Sequence, residues 1–277
     1  MIIDGQTIAT NIVEKLKETY QQNNLKAKLT IFLWKDNIPG HIYVKNKLKK
    51  AEYIGIETNL IEFDNDITED KLYDMISEQA KDIHNYIILQ LPIPKSFNVA
   101  RLTNIIPPKQ DIDGFCFENV ARLSINNNPY NIPATARAVE YLIKQYTQIE
   151  NKNIVIIGRS NIVGKPLYNL LLNDNATVRI VHSKIKDIRK YTKEADILIS
   201  ACGVPHLINK DYIKTNVIII DVGINKVDNK IVGDVDFENV VEKASYITPV
   251  PKGVGPMTIA MLLDNLIKNE IDFQLFG

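Results

Sequence analysis

The segment Asn153-Ile-Val-Ile-Ile-Gly158 reads as a buried strand that ends on glycine, and Arg159-Ser-Asn-Ile-Val-Gly164-Lys-Pro166 leads from it into an apolar helix, Leu167 to Leu172. A strand, a tight turn and a helix start make a phosphate cradle, because the first amide N–H groups of a helix have no internal partner and point at an anion. Ser160 stands where the usual G-x-G-x-x-G has its second glycine, so the segment taken alone suits an ordinary strand-to-helix turn equally well. The next strand, Thr177 to Val181, ends where an NAD site offers a carboxylate to the ribose 2′-hydroxyl, but here the chain reads His182-Ser183-Lys184. With no acid there, and with the Arg159 guanidinium able to fork onto a phosphate, the site suits the 2′-phosphate of NADP. Lys184 on its own also fits a solvated surface charge.

A second set of polar residues lies in the first half of the chain. Tyr43 and Lys47 are four residues apart on an expected helix from Gly40 to Ile54 and share one face, while Val44, Leu48 and Ala51 can pack on another. Lys47 also belongs to the run Lys45-Asn-Lys-Leu-Lys-Lys50, which by itself reads as a solvated basic face. Gln90 closes an apolar strand beside Pro92 and Pro94, at the ligand end of a parallel strand, and a buried amide there needs partners. Asp113, in Asp111-Ile-Asp-Gly-Phe115, is by residue type a turn former. His41, His84, His182 and His206 show no H-x-x-x-H spacing, so no metal is expected. Cys116 and Cys202 are too few for a disulfide framework or a cysteine zinc site, and both are read as structural.

The elements that must carry these residues follow a repeating pattern of short β-branched segments and longer stretches of helical period, which is that of parallel sheets with crossover helices. Expected helices Thr7 to Gln21, Gly40 to Ile54 and Asp70 to Lys81 flank strands Lys28 to Leu33, Glu57 to Ile61 and Tyr86 to Gln90. Ser124 to Asn131, rich in asparagine, is the strongest break in composition and reads as a loop rather than packed structure. It sets expected domains at 1–125, with 256–277, and at 126–255. Beyond it come a helix from Thr135 to Tyr146 and strands Asn153 to Ile157, Thr177 to Val181, Ile197 to Ala201 and Val217 to Asp221. The final helix, about Pro256 to Asn269, has the apolar face Ile259, Leu262, Leu263 and Ile267 and can close either domain. Of the 12 glycines, Gly158, Gly164, Gly203, Gly223, Gly253 and Gly255 fall at strand ends or turns of the second half, which places a ligand crevice there.

At 277 residues the chain has the length of a two-domain α/β protein, and 45% hydrophobic with 24% charged residues excludes a disordered or fibrous class. Thirty-three basic residues balance 33 acidic ones, so no basic field attracts nucleic acid, and a small-molecule partner is expected. The opening MIIDGQTIAT lacks the pattern of a secretory signal, and no apolar run approaches the ~20 residues that span a bilayer, so a cytoplasmic protein without a membrane partner is expected.

Gly158-Arg-Ser-Asn-Ile-Val-Gly-Lys-Pro166, Val217-Ile-Ile-Ile-Asp-Val-Gly-Ile-Asn225, Val232-Gly-Asp-Val235 and above all Ile247-Thr-Pro-Val-Pro-Lys-Gly-Val-Gly-Pro-Met-Thr258 resemble the methylenetetrahydrofolate dehydrogenase/methenyltetrahydrofolate cyclohydrolase family. Tyr43-Val-x-x-Lys47, Gln90-Leu-Pro-Ile-Pro94 and Asp111-Ile-Asp-Gly-Phe115 extend the resemblance over essentially the whole chain. It implies an N-terminal α/β catalytic domain, a variant Rossmann domain for NADP, a last helix returning to the first domain, and substrate in the cleft between them. It makes Lys47 the catalytic lysine, with Tyr43 flanking the folate rings, Gln90 contacting the lysine and Asp113 holding the pterin. Gly158, Arg159, Ser160, Ser183 and Ile224 become the cofactor contacts, and a homodimer is implied.

The implied reaction is oxidation of 5,10-methylenetetrahydrofolate by NADP and hydrolysis of the methenyl product to 10-formyltetrahydrofolate. A dehydrogenase-only member, an NADP dehydrogenase of another small substrate and a non-catalytic NADP sensor are the alternatives. Gly40, Gln110, Lys252, Cys116-Phe117 and Ala134 to Ala136 depart from the usual family residues.

Overall fold

Lys28 to Trp34 can form a strand only inside a sheet covered on both faces, because Leu29, Ile31, Phe32 and Leu33 are all fully buried and point both ways from the strand. The computed structural model provides that setting. It describes residues 1–276; Gly277, the end of the expected returning segment, lies outside the described residues. The chain forms α1 (Gly5–Gln22), β1 (Lys28–Trp34), α2 (Ile38–Ile54), β2 (Glu57–Phe63), α3 (Glu69–Gln79), β3 (Asn85–Gln90), α4 (Val99–Asn104) and α5 (Phe117–Ser124). It continues through α6 (Ala134–Lys144), β4 (Asn153–Ile157), α7 (Gly164–Asn173), β5 (Thr177–Val181), α8 (Arg189–Thr192), β6 (Ile197–Ser200) and β7 (Val217–Asp221). Then come β8 (Asn225–Val227), β9 (Lys230–Val232), α9 (Phe237–Val240), β10 (Ala244–Ile247) and α10 (Val254–Phe276). No helix among the described residues is long and apolar enough to cross a membrane.

One compact unit comprises Thr10–Ala134 and the chain from Ile259 onward. Its parallel sheet has the order β2-β1-β3, with Leu33 of β1 opposite Gln90 at the end of β3. Phe32, Ile87, Leu89, Leu72, Ile76, Leu102 and Ile106 form the core on one side. Between the strands the Thr30 hydroxyl donates to Asn85 Oδ1 at 2.8 Å, so the one buried hydroxyl of β1 is satisfied.

The other unit comprises Met1–Ala9 and Thr135–Thr258. Its sheet is parallel throughout, in the order β10-β7-β6-β4-β5. The chain leaves β4 toward β5 and then returns to β6 on the opposite side, so the strand order reverses between β4 and β6, where doubly wound sheets bind their ligands. The first residues extend this sheet: Ile3 N donates to Ile247 O at 2.8 Å beside β10. Asn225 to Val232 form the antiparallel hairpin β8–β9, turning on Asp228 and Asn229 at φ 47° and 61°.

The expected apolar face of the last helix, Ile259, Leu262, Leu263 and Ile267, is buried, but the helix runs further, from Val254 to Phe276, and its burial is wider, taking in Met257, Ala260, Met261 and Leu266 together with Asn265, Asn269 and Glu270. One expectation is corrected. The segment 124–131 is not uniformly an unpacked loop. Ser124 ends α5, and Asn131 is buried, its amide group donating to Pro108 O at 2.9 Å and Lys109 O at 3.2 Å.

The polar residues of α10 fasten it to the unit of β1. Asn265 Nδ2 donates to Ile112 O at 3.0 Å and Ile132 O at 2.9 Å, and Asn269 Nδ2 donates to Asn131 Oδ1 at 2.8 Å. Glu270, fully buried, accepts from the Tyr86 hydroxyl at 3.0 Å and from His84 Nδ1 at 2.9 Å. Burial and the Glu270 carboxylate push the Tyr86 phenol far above its ordinary range, so it remains a donor. Tyr86→Phe is expected to lower the unfolding free energy by about 1.5 to 3 kcal/mol, since a buried charged acceptor loses a partner. His84→Ala should cost less, because the His84 side chain is 45% exposed and water can replace it. Urea denaturation of both variants checks the order.

Candidate active site

The first cluster is built on α2 and the carboxyl end of β3. Asn37 caps α2 by accepting from Gly40 N at 3.0 Å, and a proline fits the first turn, where its missing N–H costs nothing. The same Asn37 side chain donates to Pro92 O at 3.1 Å, which ties the start of α2 to the loop that follows Gln90. A Cβ on Gly40 would collide with the Asn37 side chain, so the departure at position 40 and this cap belong together.

Three turns of α2 carry Lys47 inward. It is 5% exposed, while Lys45, Asn46 and Lys49 are exposed, so Lys47 is set apart from its basic run. Lys47 Nζ donates to Gln90 Oε1 at 3.0 Å and lies 3.8 Å from Asp113 Oδ2. Gln90 Nε2 donates to Leu91 O at 3.0 Å, which fixes which end of the carboxamide faces the lysine. Tyr43 lies one turn earlier on α2, and burial pushes its phenol up, so it stays a neutral donor.

Asp113 is placed by its neighbour Asp111. Asp111 is buried and accepts from Gly114 N at 3.1 Å, Cys116 N at 2.7 Å and Asn119 Nδ2 at 3.2 Å, closing the turn that holds Asp113. Burial pushes the Asp111 carboxyl up to about 6, and burial with Asp111 pushes the Cys116 thiol to about 12. The departure Gln110 is structural here: its amide donates to Asp82 O at 2.6 Å and Asn85 O at 2.7 Å at the start of β3. Asn37 belongs to no motif, and Asp111 stands in the Asp-Ile-Asp-Gly segment without a role read for it; a polar residue three before a helical glycine and an Asp two before Asp113 are the signals each leaves.

The second cluster surrounds the end of β4. Gly158 has φ 121°, and a Cβ there would collide with Ala201 O of the adjoining chain after β6; a Cβ on Gly164 would collide with Gly158 O. Only glycine allows these approaches. Ser160 Oγ accepts from Val163 N at 3.1 Å and Gly164 N at 3.4 Å, so the residue that breaks the glycine pattern closes the turn into α7 and keeps its hydroxyl hydrogen to donate. Arg159, Ser160, Ser183 and Lys184 are exposed, and Ile224 is 46% exposed just beyond β7. The close backbone, the tight turn into the helix start and the exposed hydroxyls and guanidinium fit a phosphorylated dinucleotide. Lys252 lies at φ 81°, where its usual glycine counterpart is free of strain, and its carbonyl accepts from Gln6 N at 2.9 Å.

Asp221, at the end of β7, is buried and accepts from Gly223 N at 2.9 Å, Asp234 N at 3.1 Å and Val235 N at 2.9 Å. Burial first, and the nearby Asp234 carboxylate, push it up to about 7 against the pull of these N–H groups.

These features define a two-unit α/β protein with a nicotinamide-dinucleotide site on one unit and a buried lysine–carboxamide–carboxylate cluster on the other. Residues 3–113 match the catalytic domain, and residues 133–272 the NAD(P)-binding domain, of tetrahydrofolate dehydrogenase/cyclohydrolase. The chain is 44% identical over 275 residues to the bifunctional protein FolD of Wolbachia pipientis wMel, covering 96% of this chain and 94% of that one. The bifunctional FolD methylenetetrahydrofolate dehydrogenase/cyclohydrolase of Campylobacter jejuni superposes with a TM-score of 0.95 at 41% identity, over 99% of both chains. A Trypanosoma brucei methylenetetrahydrofolate dehydrogenase-cyclohydrolase complexed with NADP and an inhibitor has a TM-score of 0.93 at 32% identity, over 100% of this chain and 99% of that one. The chain belongs to the tetrahydrofolate dehydrogenase/cyclohydrolase family.

A carboxyl whose folded pKa lies above its unfolded one contributes stability in its protonated form. For Asp221, at 3.8 unfolded and about 7 folded, that contribution is complete below about pH 4 and is lost as pH rises through 7. The parent should therefore lose stability relative to Asp221→Asn between pH 4 and pH 7, by on the order of 4 kcal/mol at ~1.4 kcal/mol per pKa unit. Urea unfolding of both proteins across that range measures the change in their difference, and a constant difference would contradict the assignment.

Proposed function

We propose that this protein oxidises 5,10-methylenetetrahydrofolate to 5,10-methenyltetrahydrofolate with NADP and hydrolyses the product to 10-formyltetrahydrofolate, in one-carbon metabolism. The observation that carries this reading is the buried Lys47, held by Gln90 and beside Asp113, within the part of the chain that matches the family's catalytic domain. Bound NADP supplies the hydride acceptor.

The chain's residues divide the remaining work. Loss of hydride leaves the one-carbon unit as an electrophilic carbon between two folate nitrogens. Addition of water then needs a proton removed, and ring opening needs one delivered to the departing nitrogen, so a single group that takes up and returns a proton serves both steps. Lys47 Nζ is that group. Gln90 Oε1 accepts one of its hydrogens and sets its direction, and Asp113 binds the pterin by its carboxylate. Tyr43 stacks beside the folate rings. Hydride transfer itself depends on alignment rather than on a proton relay.

On the cofactor unit, Gly158 and Ser160 receive the diphosphate, Arg159 and Ser183 the 2′-phosphate, and Ile224 the ring end. The reading extends to a cytoplasmic homodimer that acts on a tetrahydrofolate and engages neither nucleic acid nor membrane, in keeping with the family and with the balance of 33 basic and 33 acidic residues.

Arg159→Ala is expected to weaken NADP binding by about 1.5 to 3 kcal/mol, the loss of a charged hydrogen bond, and to leave NAD binding nearly unchanged. Calorimetric titration with both cofactors measures this, and an unchanged NADP dissociation constant would remove Arg159 from the site. Lys47→Gln should abolish methenyl hydrolysis while leaving measurable hydride transfer, because Gln keeps polar reach but cannot relay a proton. The two steps are followed separately by absorbance, after subtraction of spontaneous hydrolysis. Parental hydrolysis by the folded variant would exclude the role.

A further inference from the structure

Asp234 is fully buried, and its carboxylate gathers donors from two separate stretches of chain. Oδ2 accepts from the Ser200 hydroxyl at 3.0 Å, Cys202 N at 2.8 Å, Gly203 N at 3.2 Å and the Cys202 thiol at 3.3 Å. Oδ1 accepts from Val204 N at 3.0 Å and Asn225 Nδ2 at 2.9 Å. Three consecutive amides converging on one anion form a nest of the kind that otherwise receives a phosphate, and here the protein's own side chain fills it.

The two stretches held in this way leave the carboxyl ends of β6 and β7. Gly203 takes φ 68° to turn its amide inward, and a Cβ on Gly223 would collide with Asp234 Oδ1, so the loop carrying Ile224 closes directly onto the same carboxylate. These loops lie on the side of the strand-order reversal away from β5. Arg159 and Ser183, the residues suited to the 2′-phosphate, follow β4 and β5 on the other side. A dinucleotide laid across such a sheet with its 2′-phosphate at β5 has its nicotinamide half over β6 and β7.

We propose that Asp234 is a positioning residue for the nicotinamide half of the cofactor, acting through the backbone of residues 202–204 and through Asn225 beside Ile224. This rests on the NADP reading above. The side chain is enclosed and works by fixing the two loops that the ring end of the cofactor meets. Asparagine at this position preserves shape and one acceptor oxygen, but sets an NH₂ group against the N–H groups of Cys202 and Gly203 and so releases the first loop.

The test titrates parent and Asp234→Asn by calorimetry with two probes, NADP and adenosine 2′,5′-bisphosphate, which carries the 2′-phosphate but no nicotinamide. The expected result is a dissociation constant for NADP raised about ten-fold or more, with that for the bisphosphate changed less than about two-fold. A residue with a merely structural part would weaken both probes alike, and that outcome, or unchanged NADP binding by the folded variant, overturns the proposal. If Asp234→Asn does not fold, Asn225→Ala removes one donor beside Ile224; it should weaken NADP about three-fold and spare the bisphosphate. Equal effects of Asn225→Ala on both probes, or none on either, overturn the proposal as well. A parent that binds neither probe overturns the NADP reading and this proposal with it, whereas a parent that binds both, with a variant indistinguishable from it, overturns this proposal alone.

Discussion

A charged or strongly polar side chain can be taken out of water only where partners await it, and this structure is arranged around a few such burials. Lys47 is the one on which the proposed chemistry depends. Its place at 5% exposure requires Gln90 to face it, which requires the Gln90 amide to be held by Leu91 O, which in turn follows the end of β3. The start of α2 is drawn into the same set of bonds, because Asn37 joins Gly40 N to Pro92 O. Helix and strand end are thus positioned by hydrogen bonds that each satisfy a group the other has buried, and apolar packing supplies the surroundings rather than the direction.

The cofactor unit uses a different device. There the backbone itself comes close enough to make the site, and side chains are absent where they would interfere: Gly158 against Ala201 O, Gly164 against Gly158 O, Gly223 against Asp234. Buried carboxylates then hold the loops that glycine leaves free. Asp221 takes amides from three residues and Asp234 from three more, so the loops after β6 and β7 are held from within. Catalytic and cofactor units therefore reach precision by opposite routes, one by pairing side chains and the other by removing them.

Much of this was legible in the sequence where a residue type carries a period or a shape. The continuous apolar runs of β1, β4 and β7 announced covered parallel strands, and the glycines at 158 and 164 announced the turn. What escaped were short elements whose stability comes from their surroundings. β10, Ala-Ser-Tyr-Ile, has no pattern of its own and exists because β7 and residues 1–3 pair with it. The β8–β9 hairpin carried a usable signal in Asp228-Asn229, two residues that tolerate positive φ. The inward polar residues of α10 and the burial of Asn131 could not be read, since asparagine in a sequence looks solvated until its partners are known. Lys47 shows the same limit, for nothing within Lys45 to Lys50 distinguishes the buried lysine from its exposed neighbours.

The bonds made by α10 also bear on the order in which the chain is made. The sheet β2-β1-β3 is synthesised before α10, yet Ile112 O, Ile132 O and the Tyr86 hydroxyl find their partners on Asn265 and Glu270, more than 130 residues further along the chain. A nascent chain that has emerged only as far as Ala134 carries these buried groups without their counterparts, and the intervening unit must be translated before they arrive. The unit of β1 is consequently completed only after the segment between its two pieces has been translated, and until then its unpaired buried groups are open to aggregation.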